Sequence, residues 1–169
     1  MSVPKLFKKF DLPLFIPSKK PIEYKGKKYY LDYLKGNNYV TFWEIFINGN
    51  YDKEPNCIVE SGDVVLDIGG NSGFFALHSL HEGASKVYSV EPVNSSFVKI
   101  IKLSEQFPEI VPINKAVSIT DGNVSMLVDE YSPATNCLSQ YGEIFDKKGN
   151  HVIVESININ SLINQITEK

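Results

Sequence analysis

The residues best suited to chemistry lie in one short segment, residues 67–73, which reads Asp-Ile-Gly-Gly-Asn-Ser-Gly. Glycines let a backbone turn sharply and approach a ligand closely because they carry no Cβ. A helix that begins near Gly73 would point unpaired N–H groups and the positive end of its dipole at that ligand, which favours a carboxylate or a phosphate. Asp67 offers the opposite charge to an ammonium group. The segment therefore favours a ligand that carries both charges.

A second acid, Glu91, follows the next apolar run along the chain and is itself followed by Pro92. In open α/β sheets, an acid at the end of the second strand accepts hydrogen bonds from ribose hydroxyls. Asp67, the glycine turn and Glu91 are expected at the carboxyl ends of two adjacent parallel strands, where such sheets bind ligands. A glycine turn or an acid alone is a weak signal, whereas the two in this order are a strong one.

The surrounding pattern supplies the elements that must position these residues. The predicted elements are strands over 64–68, 86–90 and 110–113, a helix over 74–81, and a second helix that follows a cap at Asn94 or Ser95 and runs to about residue 107. The first strand is a nearly continuous apolar run, which suits burial on both faces of a parallel sheet. The order strand–helix–strand–helix–strand forms a right-handed parallel crossover. The expected fold class is therefore α/β, a parallel sheet with flanking helices.

Antiparallel hairpins and helix caps are predicted around this unit. The predicted hairpins are 22–31, and 124–128 with 152–157; a short helix is predicted over 41–46 and a last short helix near residue 160. Gly83 is the expected stop of the first helix, Asn94 or Ser95 the cap of the next, and Asn160 or Ser161 the cap of the last. The expected division is a basic N-terminal arm, 1–60, and a ligand-binding domain, 61–169.

Composition and charge narrow the class of partner. The chain has 169 residues, of which 43% are hydrophobic and 22% charged, as in one globular unit. Its formal net charge is −3, and all 17 basic residues are lysines. Phosphate and guanine recognition relies on arginine forks, so nucleic acid is not expected as a partner. Many of the lysines lie in the first 35 residues. A solvated N-terminal arm is the favoured interpretation, and a basic patch that binds an acidic partner or a membrane surface is the alternative.

The cysteines and the N-terminal stretch indicate a compartment. Cys57 and Cys137 stand alone, with neither a CxxC nor a paired-histidine spacing, so no metal site is predicted. Two isolated thiols without a secretory leader fit a reducing cytoplasm. The first 20 residues, in which lysine, aspartate and proline interrupt the apolar positions, predict neither a signal peptide nor a transmembrane segment.

Two ligand classes compete for this pattern. The methionine end of S-adenosylmethionine carries an ammonium and a carboxylate, and its ribose would meet Glu91. A nicotinamide dinucleotide fold requires Gly-x-Gly-x-x-Gly. Here the spacing is Gly-Gly-Asn-Ser-Gly, and Asp67 before it would repel a pyrophosphate. S-adenosylmethionine is therefore the predicted cofactor, and a nicotinamide-dinucleotide oxidoreductase is the less favoured alternative.

From about residue 62 to residue 162 the sequence resembles the FkbM-type S-adenosylmethionine-dependent methyltransferases. The glycine turn and the segment 87–92 are shared by many methyltransferases. The segment Asn-Lys-Ala-Val-Ser at 114–118, the Asp121-Gly122 turn and the later hairpin point to this family. The resemblance implies a Rossmann-like methyltransferase fold and methyl transfer to a hydroxyl of a small molecule or sugar.

The resemblance also implies roles for individual positions. The residues that it places around the methionine portion of the cofactor are Asp67, Gly69, Gly70 and Asn71, beside the helix start at Gly73. It places Glu91 on the ribose. The residues near the adenine would be Pro92, Asn114 and Ala116. Family members carry a short element ahead of the first strand that can close over the cofactor. Glu44 and Tyr51 occupy that region here, although packing of the N-terminal arm is the favoured interpretation for both.

No catalytic base is predicted, and the family pattern is incomplete. The remaining candidates, favoured as surface or packing residues, are His78, His81, His151 and Lys115. In the family a fourth strand with a Lys-x-Asp-x-Glu-Gly motif follows, whereas this sequence ends at Lys169 without it. The first strand is then expected to expose an edge unless a partner chain or a missing C-terminal half completes the sheet. A non-catalytic cofactor-binding or regulatory remnant is the alternative to an active enzyme.

Overall fold

A computed structural model describes residues 22–24, 27–29, 37–46, 48–49, 51, 58–129, 136–139 and 149–167. The strands are β1 (Ile22–Tyr24), β2 (Lys27–Tyr29), β3 (Val64–Ile68), β4 (Lys86–Val90), β5 (Ile110–Ile113), β6 (Ala116–Ser118), β7 (Gly122–Val128), β8 (Cys137–Leu138) and β9 (Asn150–Asn158). The helices are α1 (Asn37–Phe46), α2 (Phe74–Glu82), α3 (Asn94–Gln106) and α4 (Ile159–Thr167).

A parallel sheet of β3, β4 and β5, with β4 in the middle, carries the site. Its register sets Asp67 opposite Ser89 and Ile68 opposite Val90, so β3 and β4 end side by side. The crossover helices α2 and α3 cover one face, where Leu77, Val87 and other buried apolar residues form the largest core cluster. The predicted α/β arrangement of a parallel sheet with flanking helices is confirmed.

Helix α4 covers the opposite face of this sheet. Leu162 is fully buried there against Val90 and Ile157, with Leu66 and Ile113 packed around them. Each face of β4 is therefore covered by helix, and Val87 and Val90 are both buried. Burial on both faces is what an apolar strand of a parallel sheet requires.

Strand β3 is less buried than its apolar sequence predicts. Val64 is 63% exposed and Ile68 is 53% exposed. The reason is that, among the described elements, only β4 pairs with β3, which leaves β3 at the edge of the sheet. The expectation of burial on both faces is wrong for these two residues, and the expected open edge is present in the described part of the chain.

A mixed sheet, in the order β6-β9-β7-β8, packs beside the parallel one. The predicted antiparallel pair is confirmed: β7 pairs with β9 from Gly122 opposite Ser156 to Val128 opposite Asn150. The parallel pairing of β6 with β9 was not predicted. Met126 of β7 packs in a cluster with Val93, which follows β4, and this contact brings the mixed sheet to the edge of the site.

The helix ends follow the sequence only in part. Gly83 ends α2 in the left-handed conformation, at φ 109°, as expected. The expected caps at Asn94 or Ser95 are wrong, because α3 already begins at Asn94 and is preceded by Val93, which makes no side-chain cap. The expected caps Asn160 and Ser161 are wrong as well. Helix α4 begins at Ile159, ahead of both predicted caps, and Asn158 Oδ1 accepts the N–H of Asn160 at 2.8 Å.

The N-terminal elements match the predicted hairpin and helix. β1 and β2 pair antiparallel, and the helix predicted over 41–46 begins at Asn37. Phe42 of α1 packs edge-on against Phe74 of α2, with ring centroids 5.6 Å apart, so this helix joins the main core. Residues 30–31 of the predicted hairpin and Cys57 lie outside the described residues. The division of the chain at residue 60 stays a prediction.

Two glycines with positive φ allow the energetic cost of backbone strain to be measured apart from the cost of overpacking. Gly62 has φ +94°, and a Cβ added there would have nothing within 4 Å, whereas at Gly73, with φ +76°, a Cβ would lie 2.5 Å from Leu103 Cδ1. We expect Gly62→Ala to lower the free energy of unfolding by about 1–2 kcal/mol, the cost of a left-handed L-residue. Gly73→Ala should lose about 1–3 kcal/mol more through overpacking.

Equilibrium unfolding in urea measures both losses. Equal losses in the two variants would contradict the close packing of α2 on α3 at Gly73. Gly62 is the matched control because it shares the backbone conformation and lacks the neighbour.

Candidate functional site

A cavity of about 490 Å³ lies at the carboxyl ends of β3 and β4. That volume falls within the range of small-molecule sites in proteins. The residues predicted from the sequence that line it are Asp67, Gly69, Gly70, Asn71, Glu91 and Pro92. The two strand ends and the glycine turn therefore come together as the sequence pattern predicts.

The glycine turn is fastened to the end of β4. The N–H groups of Gly69 and Gly70 both donate to the carbonyl of Val90, at 2.9 and 3.0 Å. At Gly70 a Cβ would meet the hydroxyl of Ser89 and lie 3.0 Å from Asp67 Oδ2. Asn71 adopts φ 47°, a left-handed conformation that asparagine tolerates better than most residues. The turn is therefore held too close to β4 for a side chain at Gly70.

Asp67 is a buried carboxylate with one oxygen left for a ligand. The residue is only 7% exposed, and Oδ2 accepts a hydrogen bond of 2.7 Å from the Ser89 hydroxyl. No hydrogen bond to Oδ1 is formed by the residues that the structure describes. The pKa of Asp67 is raised to about 6: burial is the main cause, the Ser89 hydrogen bond opposes the rise, and the nearby Glu91 charge adds to it. Such a carboxylate is suited to bind a cationic group.

Glu91 holds two loops with its two carboxylate oxygens. Oε2 accepts the N–H of Asn71 at 2.9 Å, and Oε1 accepts the N–H of Val93 at 2.8 Å. Burial raises the pKa of Glu91, while these hydrogen bonds and the charge of Lys99 oppose the rise. A carboxylate oxygen can accept two hydrogen bonds. Each oxygen therefore keeps room for a ligand hydroxyl.

A polar network behind the turn was not predicted from the sequence. The Ser72 hydroxyl donates to Asn38 Oδ1 of α1 at 2.7 Å, and Lys99 Nζ donates to Ser72 Oγ at 3.4 Å. Burial lowers the pKa of Lys99, and the Glu91 charge opposes that change. Ser72 stands within the glycine motif, which is the signal that sequence reasoning left unused. The network ties α1 to the turn.

Three predicted residues support the cavity wall without lining it. Gly73 lies at the start of α2, over Leu103 of α3. Asn114 Nδ2 donates to the carbonyl oxygen of Glu91 at 2.9 Å and to that of Pro92 at 3.3 Å. Ala116 is buried in the cluster of Val93 and Met126. Asn114 thus fixes the backbone that follows β4.

Helix α1 and two distant loops complete the cavity. Thr41, Glu44 and Ile45 of α1 line it, and their spacing of three and four residues puts them on one face of the helix. Tyr51 also lines it, with its ring centroid 4.9 Å from that of Phe75. The remaining lining residues include Met126 and Asn136, which were not predicted. These residues are far from the glycine turn in sequence, so no local motif marks them.

The possible bases named from the sequence all lie away from the cavity lining. His78 is 1% exposed and packs against the ring of Phe46. His81 contacts its neighbour Glu82 at 3.3 Å, and His151 Nδ1 bonds the Ser139 hydroxyl at 2.8 Å. Lys115 Nζ forms an ion pair of 2.6 Å with Glu155. These residues have packing or surface roles.

Neither a metal cluster nor a membrane-spanning helix occurs within the described ranges. Among those residues, no group of three acidic, histidine or cysteine side chains is placed to hold a metal ion. In the same part of the chain, no helix has the length and apolar character needed to cross a bilayer.

Comparison with known proteins yields distant structural similarity alone. No family model matches the chain, and no curated protein matches it. A crystal structure of PRMT6 aligns with a TM-score of 0.34 at 17% identity, over 50% of this chain and 23% of that one. A Listeria monocytogenes protein named as an S-adenosylmethionine dependent methyltransferase aligns with a TM-score of 0.38 at 13% identity, over 77% and 83%. Because both scores are low, the interpretation rests on the geometry of the chain itself.

The buried charge of Asp67 is expected to reduce stability. Its pKa of about 6, against 3.8 for the free side chain, corresponds to about 3 kcal/mol in favour of the neutral acid. A raised folded-state pKa means that stability is lost as pH rises through about 6. Asp67→Asn stays neutral and can still accept from Ser89. We expect it to raise the free energy of unfolding by about 1–3 kcal/mol at about pH 8.

Urea unfolding of the two proteins at several pH values checks this expectation. The advantage of Asp67→Asn should vanish below about pH 4, where both side chains are neutral. A variant that is no more stable than the original chain at about pH 8 would contradict the expectation. It would show that the charge of the Asp67 carboxylate does not destabilise the fold.

Proposed function

We propose that this chain binds S-adenosylmethionine and acts in methyl transfer. The observation that carries the proposal is the meeting in one cavity of Asp67, whose Oδ1 receives no hydrogen bond from the described residues, with the glycine turn and Glu91. Asp67 Oδ1 would accept the ligand ammonium, and the first turn of α2 would favour its carboxylate because N–H groups there lack helical partners. Glu91 would accept the ribose hydroxyls.

When bound, S-adenosylmethionine supplies an activated methyl group on a sulfonium. The chain's own part is to hold the acceptor in line with that methyl group and to exclude water, and positioning of this kind is a large share of such catalysis. We propose that the acceptor is a hydroxyl of a small molecule or sugar, as in the FkbM-type enzymes, and that the reaction occurs in the cytoplasm. The free thiol of Cys137 is compatible with a reducing compartment.

A binding or regulatory module is the second candidate. It is favoured because, in the described part of the chain, the cavity is lined by no histidine, the side chain that most often takes a proton from an acceptor. Transfer of a radiolabelled methyl group from S-adenosylmethionine to small molecules of a cell extract would favour the enzyme. Cofactor binding with no transfer, in any extract, would favour the module.

Glu91 offers the direct test of cofactor binding. We expect calorimetric titration to detect S-adenosylmethionine and not NAD, and Glu91→Ala to weaken binding by about 1–3 kcal/mol through the loss of charged hydrogen bonds. Glu105→Ala, at an exposed position of α3, is the matched control and should bind normally.

Because Glu91 also holds the N–H groups of Asn71 and Val93, thermal unfolding must confirm that each variant is folded. Glu91→Gln keeps one carbonyl acceptor and should lose less affinity than Glu91→Ala. Binding of NAD, or unchanged affinity in a folded Glu91→Ala, would contradict the proposal.

The protonation of Asp67 predicts a pH dependence of binding. A ligand ammonium favours the ionised carboxylate, and the pKa of Asp67 is about 6. Affinity should therefore be constant above about pH 7 and fall by up to about tenfold per pH unit below pH 6. Calorimetry between about pH 5 and 8 measures the change. Asp67→Asn should bind weakly at every pH, and a pH-dependent affinity that persists in this variant would exclude Asp67 as the titrating group.

A further inference from the structure

The charged residues that line the cavity are all acids. In the part of the chain that the structure describes they are Glu44, Asp67 and Glu91, and neither lysine nor histidine lines the cavity with them. The sequence contains no arginine that could do so. The described part of the cavity lining therefore presents negative charge to a ligand.

The three acids differ in how far the protein neutralises them. Glu91 faces Lys99 behind the wall and has both oxygens bonded to backbone N–H groups. Asp67 is more than nine-tenths buried, and its Oδ1 receives no hydrogen bond from the described residues. Glu44 is exposed on the cavity face of α1, and no ion pair to it is formed within the described part of the chain. Among the acids that line the cavity, Asp67 and Glu44 are therefore the two that the described residues neutralise least.

The two acids line the cavity from different elements. Asp67 lies in β3, next to its last residue, and in the proposed binding mode takes the ligand ammonium. Glu44 lines the cavity from α1, together with Thr41 and Ile45. The proposed binding mode assigns no part of the cofactor to Glu44. Its charge can therefore act on the sulfonium or on the acceptor.

We infer that this cavity selects its ligands by positive charge, and that Glu44 contributes to that selection. The inference rests on the proposed function. A sulfonium would bind more tightly than the neutral thioether that remains after methyl transfer, so the loss of the methyl group would favour release of the product. The acceptor would be cationic or uncharged, because a carboxylate or phosphate would be repelled by Glu44.

The size of the effect can be estimated from Coulomb's law. Two unit charges several ångströms apart, near a protein surface, interact strongly enough to change an affinity by about three- to tenfold. Because Glu44 is exposed, its contribution should be screened by salt. The charge preference is therefore expected to be measurable and to depend on ionic strength.

The test is a calorimetric titration of the full chain with S-adenosylmethionine and with S-adenosylhomocysteine, two ligands that differ only in the methyl group and its charge. We expect about three- to tenfold tighter binding of S-adenosylmethionine at low salt, and a smaller preference at about 0.5 M salt. Glu44→Gln should reduce the preference, and Glu44→Lys should reduce it further. Glu105→Gln removes the same charge from an exposed position on α3 and should leave it unchanged.

The outcomes separate this inference from the proposed function. Equal affinity for the two ligands, tighter binding of S-adenosylhomocysteine, or a preference that survives Glu44→Lys would overturn the charge selection while leaving cofactor binding in place. If neither ligand binds to the folded chain, the proposed function fails and this inference fails with it. Thermal unfolding of each variant checks the fold, and Glu44 is exposed, so little loss of stability is expected.

Discussion

The carboxylate of Glu91 is the contact on which the site depends, because it holds two loops at once. One oxygen accepts the N–H of Asn71 in the glycine turn, and the other accepts the N–H of Val93 at the start of α3. The carbonyl of Val90 in turn holds Gly69 and Gly70. These bonds fix the ends of β3 and β4 side by side, so that a ligand lying across both strands meets the acid of each.

The same arrangement is expected to lower the free energy of unfolding. Bringing the turn close to β4 buries Asp67 beside Glu91, and burial raises the pKa of Asp67 to about 6. The fold alone would favour a neutral side chain there, whereas a cationic ligand favours the carboxylate. Perturbed carboxylates of this kind are typical of functional sites. Lys99, behind Glu91, offsets part of the charge without entering the cavity.

The sequence predicts those features of the structure that depend on neighbouring residues in the chain. The strands around Asp67 and Glu91 and the turn between them follow from apolar runs and glycines, and they were predicted. Asn136 was not, because it lies far from the turn in sequence and its place in the cavity wall depends on tertiary packing. Asn114 shows a further limit: its position was predicted near the ligand, but its amide bonds the backbone carbonyls of Glu91 and Pro92. Residue type alone does not tell which partner an amide takes.

We propose that one cavity, at the ends of β3 and β4, binds S-adenosylmethionine. An amide ¹H–¹⁵N correlation spectrum of the labelled chain, recorded during titration with the cofactor, shows where the ligand binds. We expect the largest shift changes at Gly69, Gly70, Asn71 and Val93. Changes centred instead on the second cavity, of about 560 Å³ beside Ser118 and Ser139, would contradict it, as would a spectrum that does not change.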